Sequence, residues 1–217
     1  MEVKITIPSK LSEITLRQYK AFLKVQETET NDKILNAQII RIFCNVPMET
    51  VMLLKLQDVN DITKTIYDLL EQKPALVSKF KLNGNQYGFI PQLDEMSFGE
   101  YIDLDTFIGD WDKMEKAMNV LYRPILVSLK DKYSIEDYNI DTSEDLIDMP
   151  MDAVLGAIFF FWNLGIDLST VMMNSLEGEQ AQALMEQQTL EENGVGINQS
   201  LHYSLTEILQ DLKILPN

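Results

Sequence analysis

Leu11-Ser12-Glu13-Ile14-Thr15-Leu16-Arg17-Gln18-Tyr19 returns further along the chain as Leu93-Asp94-Glu95-Met96-Ser97-Phe98-Gly99-Glu100-Tyr101. Leu11, Glu13 and Tyr19 match Leu93, Glu95 and Tyr101, and an Ile-Pro pair, Ile7-Pro8 or Ile90-Pro91, precedes each copy. Each copy reads as an extended strand stopped by Pro, a short connector, and a helix capped by Thr15 or Ser97. The cap hydroxyl accepts an orphan N–H of the first helical turn. Two copies are too few for a solenoid, in which stacked units bury one another's faces. A strand-to-helix device used twice, by duplication or by chance, is the reading.

Working outward, residues 3–7 alternate apolar and polar side chains, as a half-buried strand does. Its partner is sought in residues 79–90, where Asn83-Gly84 lies between β-prone flanks and both residues tolerate the positive φ of a tight hairpin turn. A three-stranded antiparallel sheet is expected from these pieces. The rest is helical by period: residues 15–25, 34–46, a short helix opened by Pro47, and 58–72, which ends before Pro74. Residues 97–108 form a helix closed by Gly109, and 110–130 a longer one capped by Asp110. Tyr122-Arg123-Pro124 lies inside that longer helix and predicts a kink or break, because proline removes a backbone donor. Residues 131–149 are acidic and poorly periodic, a connector. Residues 150–162 are apolar nearly all round and predict the central helix; a further helix follows Leu164-Gly165 as far as Gly178.

The fold class is therefore mainly α (α+β), a multi-helix domain with a small antiparallel sheet made of the N-terminal strand and the Asn-Gly hairpin. Residues 1–176 make this domain. Residues 177–217 are read as a C-terminal helical extension with a flexible joint near 193–198. Its last helix aligns Leu205, Ile208, Leu209 and Leu212, an apolar stripe suited to docking on a partner.

With 217 residues, 46% hydrophobic and 24% charged, the chain has the composition of a globular protein rather than a disordered one. Its 18 basic and 34 acidic residues give a net charge of −16, a field that repels phosphate backbones and anionic lipid. Direct nucleic-acid and membrane binding are not expected. The apolar run at 153–162 is about half the roughly 20 residues a membrane-spanning helix needs. Cys44 is the single cysteine, and the first residues lack a basic segment followed by an apolar one. A reducing cytoplasm is the expected compartment.

No chemistry is advertised. His202 is the single histidine and has neither metal-ligand nor triad companions nearby in sequence. Cys44 lies on the apolar side of its helix beside Phe43, the setting of a small buried hydrophobe. The densest carboxylate cluster runs from Asp103 through Asp105 and Asp110 to Asp112. It fails as a calcium loop, since Phe107 and Ile108 stand where a ligand and a glycine are required. Phosphate-binding and nucleophile-elbow motifs are absent. Met114 with Met118, and Met172-Met173, sit at core spacings. No catalytic residue, metal or cofactor is expected.

Ile90-Pro91-Gln92-Leu93-Asp94-Glu95-Met96-Ser97-Phe98-Gly99-Glu100-Tyr101-Ile102-Asp103-Leu104, with Trp111 and Ala117-Met118-Asn119-Val120-Leu121-Tyr122-Arg123-Pro124, resembles small proteins encoded by tailed bacteriophages. Those relatives sit among virion and tail-assembly genes, especially in crAss-like and related phages of Bacteroidota. The resemblance covers residues 3–175 loosely and 90–124 best. It implies a non-enzymatic virion component of the tail or head–tail region, acting through contacts with other phage structural proteins or as a homo-oligomer. Its place would be the host bacterial cytoplasm during assembly, and the virion. Two alternatives stand beside it: a tail-assembly chaperone absent from the mature particle, and an acidic host-directed inhibitor or small enzyme using carboxylates near 103–112.

Overall fold

The computed structural model describes residues 4–130 and 132–175, with side chains through Leu164 in the last helix. The chain is mostly helical with one small antiparallel sheet, the expected α+β class. Both copies of the repeated pattern fold alike. A 3-10 turn, Leu11–Glu13 or Leu93–Glu95, leads through one extended residue to the cap and then to helix α1, Leu16–Thr28, or α5, Phe98–Phe107.

Each cap is a full capping box. Thr15 Oγ1 accepts from Gln18 N at 3.2 Å while Gln18 Oε1 accepts from Thr15 N at 3.0 Å. Ser97 Oγ accepts from Glu100 N at 3.3 Å and Glu100 Oε2 accepts from Ser97 N at 2.7 Å, so two orphan donors are satisfied at each helix start. The shared glutamate holds the segment before it: Glu13 Oε2 accepts from Ser9 N at 2.7 Å, and Glu95 Oε1 from Gln92 Nε2 at 2.8 Å. Leu11 and Tyr19 are buried; Leu93 and Tyr101 are only partly so.

Helix α2, Asp32–Phe43, packs on α1, and α3, Met48–Val51, and α4, Leu56–Leu70, pack on α2. Asn31 caps α2, and Pro47 stands just before α3. Strands β1, Lys79–Leu82, and β2, Asn85–Phe89, form the expected hairpin, with Asn83 and Gly84 at φ of 51° and 84°. Helix α6, Met114–Leu121, leads directly into β3, Tyr122–Leu129, which pairs with β4, Lys132–Ile135. The sheet order is β1-β2-β3-β4.

The sheet differs from expectation in its makeup. Residues 4–9 belong to no strand, so the N-terminal segment does not join the hairpin, and β3 pairs with β2 instead. Residues 110–130 are not one helix: a 3-10 turn, Trp111–Lys113, precedes α6, and the backbone turns extended at Tyr122. The expected break at Tyr122-Arg123-Pro124 is thus a change of secondary structure. Proline cannot donate inside a helix, while Tyr122 fills a core slot through edge-to-face contacts with Phe80 and Phe89. The connector at 131–149 contains β4 and the 3-10 segment Ile140–Asp148.

Helix α7, Met151–Ser175, runs unbroken through Leu164-Gly165, where a break was expected. One glycine costs a helix only about 1 kcal/mol, too little to end one with so apolar a surface. Ala153, Val154, Leu155, Ala157 and Ile158 are fully buried, making α7 the central helix. Its first turn is clipped to the first repeat: Leu16 N donates to Met149 O at 2.9 Å and Met151 N to Ile14 O at 2.8 Å. The extension at 177–217, its joint near 193–198, and Leu205, Ile208, Leu209 and Leu212 lie outside the described residues.

Candidate interaction surface

The β3–β4 hairpin carries the most exposed apolar side chains of the sheet. β2 pairs with β3 only from Tyr122 to Pro124, where the missing proline N–H coincides with the end of that ladder. Beyond it β3 pairs with β4 alone, and an irregularity between Ile125 and Val127 adds an unpaired residue. Such a bulge bends its strand and re-aims side chains. Leu126, Val127 and Leu129 are 62%, 64% and 74% exposed.

The hairpin is anchored on β2 through β4. Tyr133 of β4 lies over Gly88 of β2, so closely that a Cβ on Gly88 would sit 2.4 Å from Tyr133 Cε2. The Tyr133 hydroxyl donates to Phe89 O at 2.6 Å, and Lys79 Nζ lies 4.5 Å from the ring centroid. Burial pushes the Tyr133 phenol upward. Leu126, Val127 and Leu129 are thus exposed apolar side chains on a hairpin that Tyr133 holds in place.

Two smaller patches lie on helices. Phe98 and Ile102, one turn apart on α5, are 72% and 46% exposed, with exposed Asp94 and Glu95 just before them. Met52, Leu53 and Leu56, at the junction of α3 and α4, are all solvent-facing.

Between α5 and the sheet runs a polar cleft of about 560 Å³, lined by Glu95, Ser97, Glu100, Arg123, Tyr133 and Tyr138 among others. At its base Arg123 Nη1 meets Glu100 Oε1, and Arg123 Nε is buried without a hydrogen-bond partner. Burial alone would raise the Glu100 carboxyl, but hydrogen bonds from Ser97 and the Arg123 guanidinium outweigh it and hold the group below its ordinary value. The Glu100–Arg123 pair is thus an internal ion pair, while Glu95, Glu136 and Asp137 add exposed carboxylates to the lining of the cleft.

The carboxylates of 103–112 are not brought together. Asp103 Oδ2 accepts from the Tyr138 hydroxyl at 2.8 Å. Asp110 accepts from Asp112 N and pairs with Lys113 at 2.8 Å, and Asp112 pairs with Lys24 at 3.1 Å. Asp105 is half-buried, and burial together with its charge pushes the Tyr101 phenol up to about 12. Among the described residues no group of three or more His, Cys, Asp or Glu side chains is placed to hold a metal. Cys44 is buried, and its thiol is pushed up to about 11 by desolvation, the opposite of a nucleophile's tuning. His202 lies outside the described residues. Among them no helix is long and apolar enough to cross a membrane.

The repeated residues Leu11, Glu13, Tyr19, Leu93, Glu95 and Tyr101 serve the two helix starts, and only the second copy borders the cleft and an exposed apolar face. The hairpin patch and the Glu100–Arg123 pair were not apparent in the sequence. The usable signal was Pro124 followed by Ile125, Val127 and Leu129 at strand spacing. No family model, curated protein or solved structure matches the chain.

Proposed function

We propose that this chain is a non-enzymatic structural or assembly protein of a tailed-phage particle, acting through protein–protein contacts in the tail or head–tail region. The observation that carries the reading is the braced β3–β4 hairpin, which holds Leu126, Val127 and Leu129 in solvent. A further support is the placement of residues 90–124, where the phage resemblance is best. That stretch contains α5 with Phe98 and Ile102, one wall of the polar cleft, and the root of the hairpin. Partners are other structural proteins of the particle, met in the host cytoplasm during assembly.

Mass spectrometry of gradient-purified particles from the source of this chain tests the proposal. Stoichiometric presence makes it a virion component. Expression during assembly, recovery in complexes with particle proteins, and absence from finished particles make it a tail-assembly chaperone. Absence from both would sink the proposal and turn attention to host targets.

A further inference from the structure

We infer that the distal half of β3 is a two-fold dimerisation edge, on which a second copy of this chain adds its own β3 antiparallel. The inference rests on the reading of the chain as an assembly protein and names one partner for its hairpin.

The exposed edges of this sheet are not equally guarded. Proteins keep sheet edges from pairing with other chains by placing lysines, prolines or short strands there. β1, at one edge, carries Lys79 and Lys81; β4, at the other, is short and begins with Lys132. Past Pro124, β3 has β4 on one side and, among the described residues, no strand on the other. That open stretch reads Ile125-Leu126-Val127-Ser128-Leu129, with no charge, proline or glycine before Lys130. Residues 126–130 are all exposed.

Charge selects the occupant. Two copies with a net charge of −16 each repel over most of their surfaces. None of the four strands contains an aspartate or glutamate, whereas the chain holds 34, so strand-to-strand pairing along β3 sets no strand carboxylates against one another. An uncharged stretch is also its own complement. Paired antiparallel about Val127, Leu129 of one copy faces Ile125 of the other, and Lys130 falls outside the paired region. The contact is isologous and closes at two copies. Tyr133 already fixes the hairpin on Phe89 and Gly88, so little ordering cost remains.

Sedimentation velocity of the full chain over a concentration series tests the inference. A monomer–dimer equilibrium is expected, with the dimer fraction rising with salt because the joined copies bear like charge. The double variant Leu126→Asp, Leu129→Asp should retain the far-UV circular dichroism and melting temperature of the parent, since both positions are exposed, and should weaken association at least tenfold. Under mild oxidation Val127→Cys should give a covalent dimer, while Met52→Cys, on a distant exposed patch, should not. A parent chain that stays monomeric at every concentration and salt overturns the inference, as does a dimer unaffected by the double variant. A monomeric chain found in purified particles would sink the dimer edge and leave the assembly reading standing; a dimer absent from particles and assembly complexes would do the reverse.

Discussion

Arg123 Nη1 lies 2.9 Å from Glu100 Oε1, with only 10% and 11% of the two side chains exposed. The pair ties the first turn of α5 to the first residues of β3, joining the helical layer to the sheet. The same glutamate completes the capping box on Ser97, a task Gln18 performs in the first repeat with an amide. Glu100→Gln therefore keeps the cap and removes the charge. Leaving Arg123 buried without its counter-ion should cost about 3 kcal/mol, read from urea unfolding of parent and variant.

The pH dependence of that stability has a definite sign. Glu100 is held below its ordinary value in the folded chain, so its contribution is fully present above the unfolded glutamate value of about 4.3 and lost as pH falls through the folded value. Asp110, beside Lys113, and Asp148, beside Arg17, are shifted the same way. Stability of the parent should fall steeply below about pH 4. The fall should be shallower in Glu100→Gln; equal slopes would show that the pair contributes nothing.

Gly88→Ala should displace Tyr133, because the added carbon meets the ring itself. Overpacking of this kind costs about 1–3 kcal/mol. In a double-mutant cycle with Tyr133→Ala the two losses should fall well short of additive, since each breaks the same contact. Additive losses would place the strain of Gly88→Ala elsewhere.

Gly156→Ala exchanges a poor helix former for the best one, worth about 1 kcal/mol in an exposed helix. Here the new carbon would lie 2.6 Å from the carbonyl oxygen of Ala75, a backbone atom that cannot swing aside. The substitution should lower the melting temperature. A rise would mean that the segment around Ala75 yields freely.

The Cys44 thiol should resist labelling. Desolvation pushes it up to about 11, so at pH 8 the folded chain presents almost no thiolate. Reaction with a disulfide reagent should be slow until denaturant is added and then complete within the mixing time. Fast labelling of the folded chain would contradict the burial of Cys44.

What the sequence disclosed was local. Thr15 and Ser97 announce their helices because a cap hydroxyl acts within three residues, and Asn83-Gly84 announces its turn because φ is a property of single residues. What it concealed depends on distant partners. Residues 114–121 have helical period, and nothing local says that Tyr122 should leave that period to pack on Phe80 and Phe89. Residues 3–7 alternate like a strand, yet pairing is settled by which segment reaches β2, and β3 does. Glu100 is visible as part of a repeat but not as the partner of Arg123, and the exposed hairpin is hidden because residues 122–129 continue a helical stretch that only tertiary contacts interrupt.

The clip between the first repeat and α7 bears on synthesis of the chain. Ile14 O and Leu16 N are matched by Met151 N and Met149 O, groups that leave the ribosome after most of the domain has already been made. The N-terminal helices can form as they appear, but their docking site on the central helix does not yet exist. Loops this long close slowly, and until α7 is made Ile14 O and Leu16 N lack these partners, although Phe22 can already pack on Phe43 and Tyr67. Completion of the core is thus a late event in translation, set by the arrival of α7.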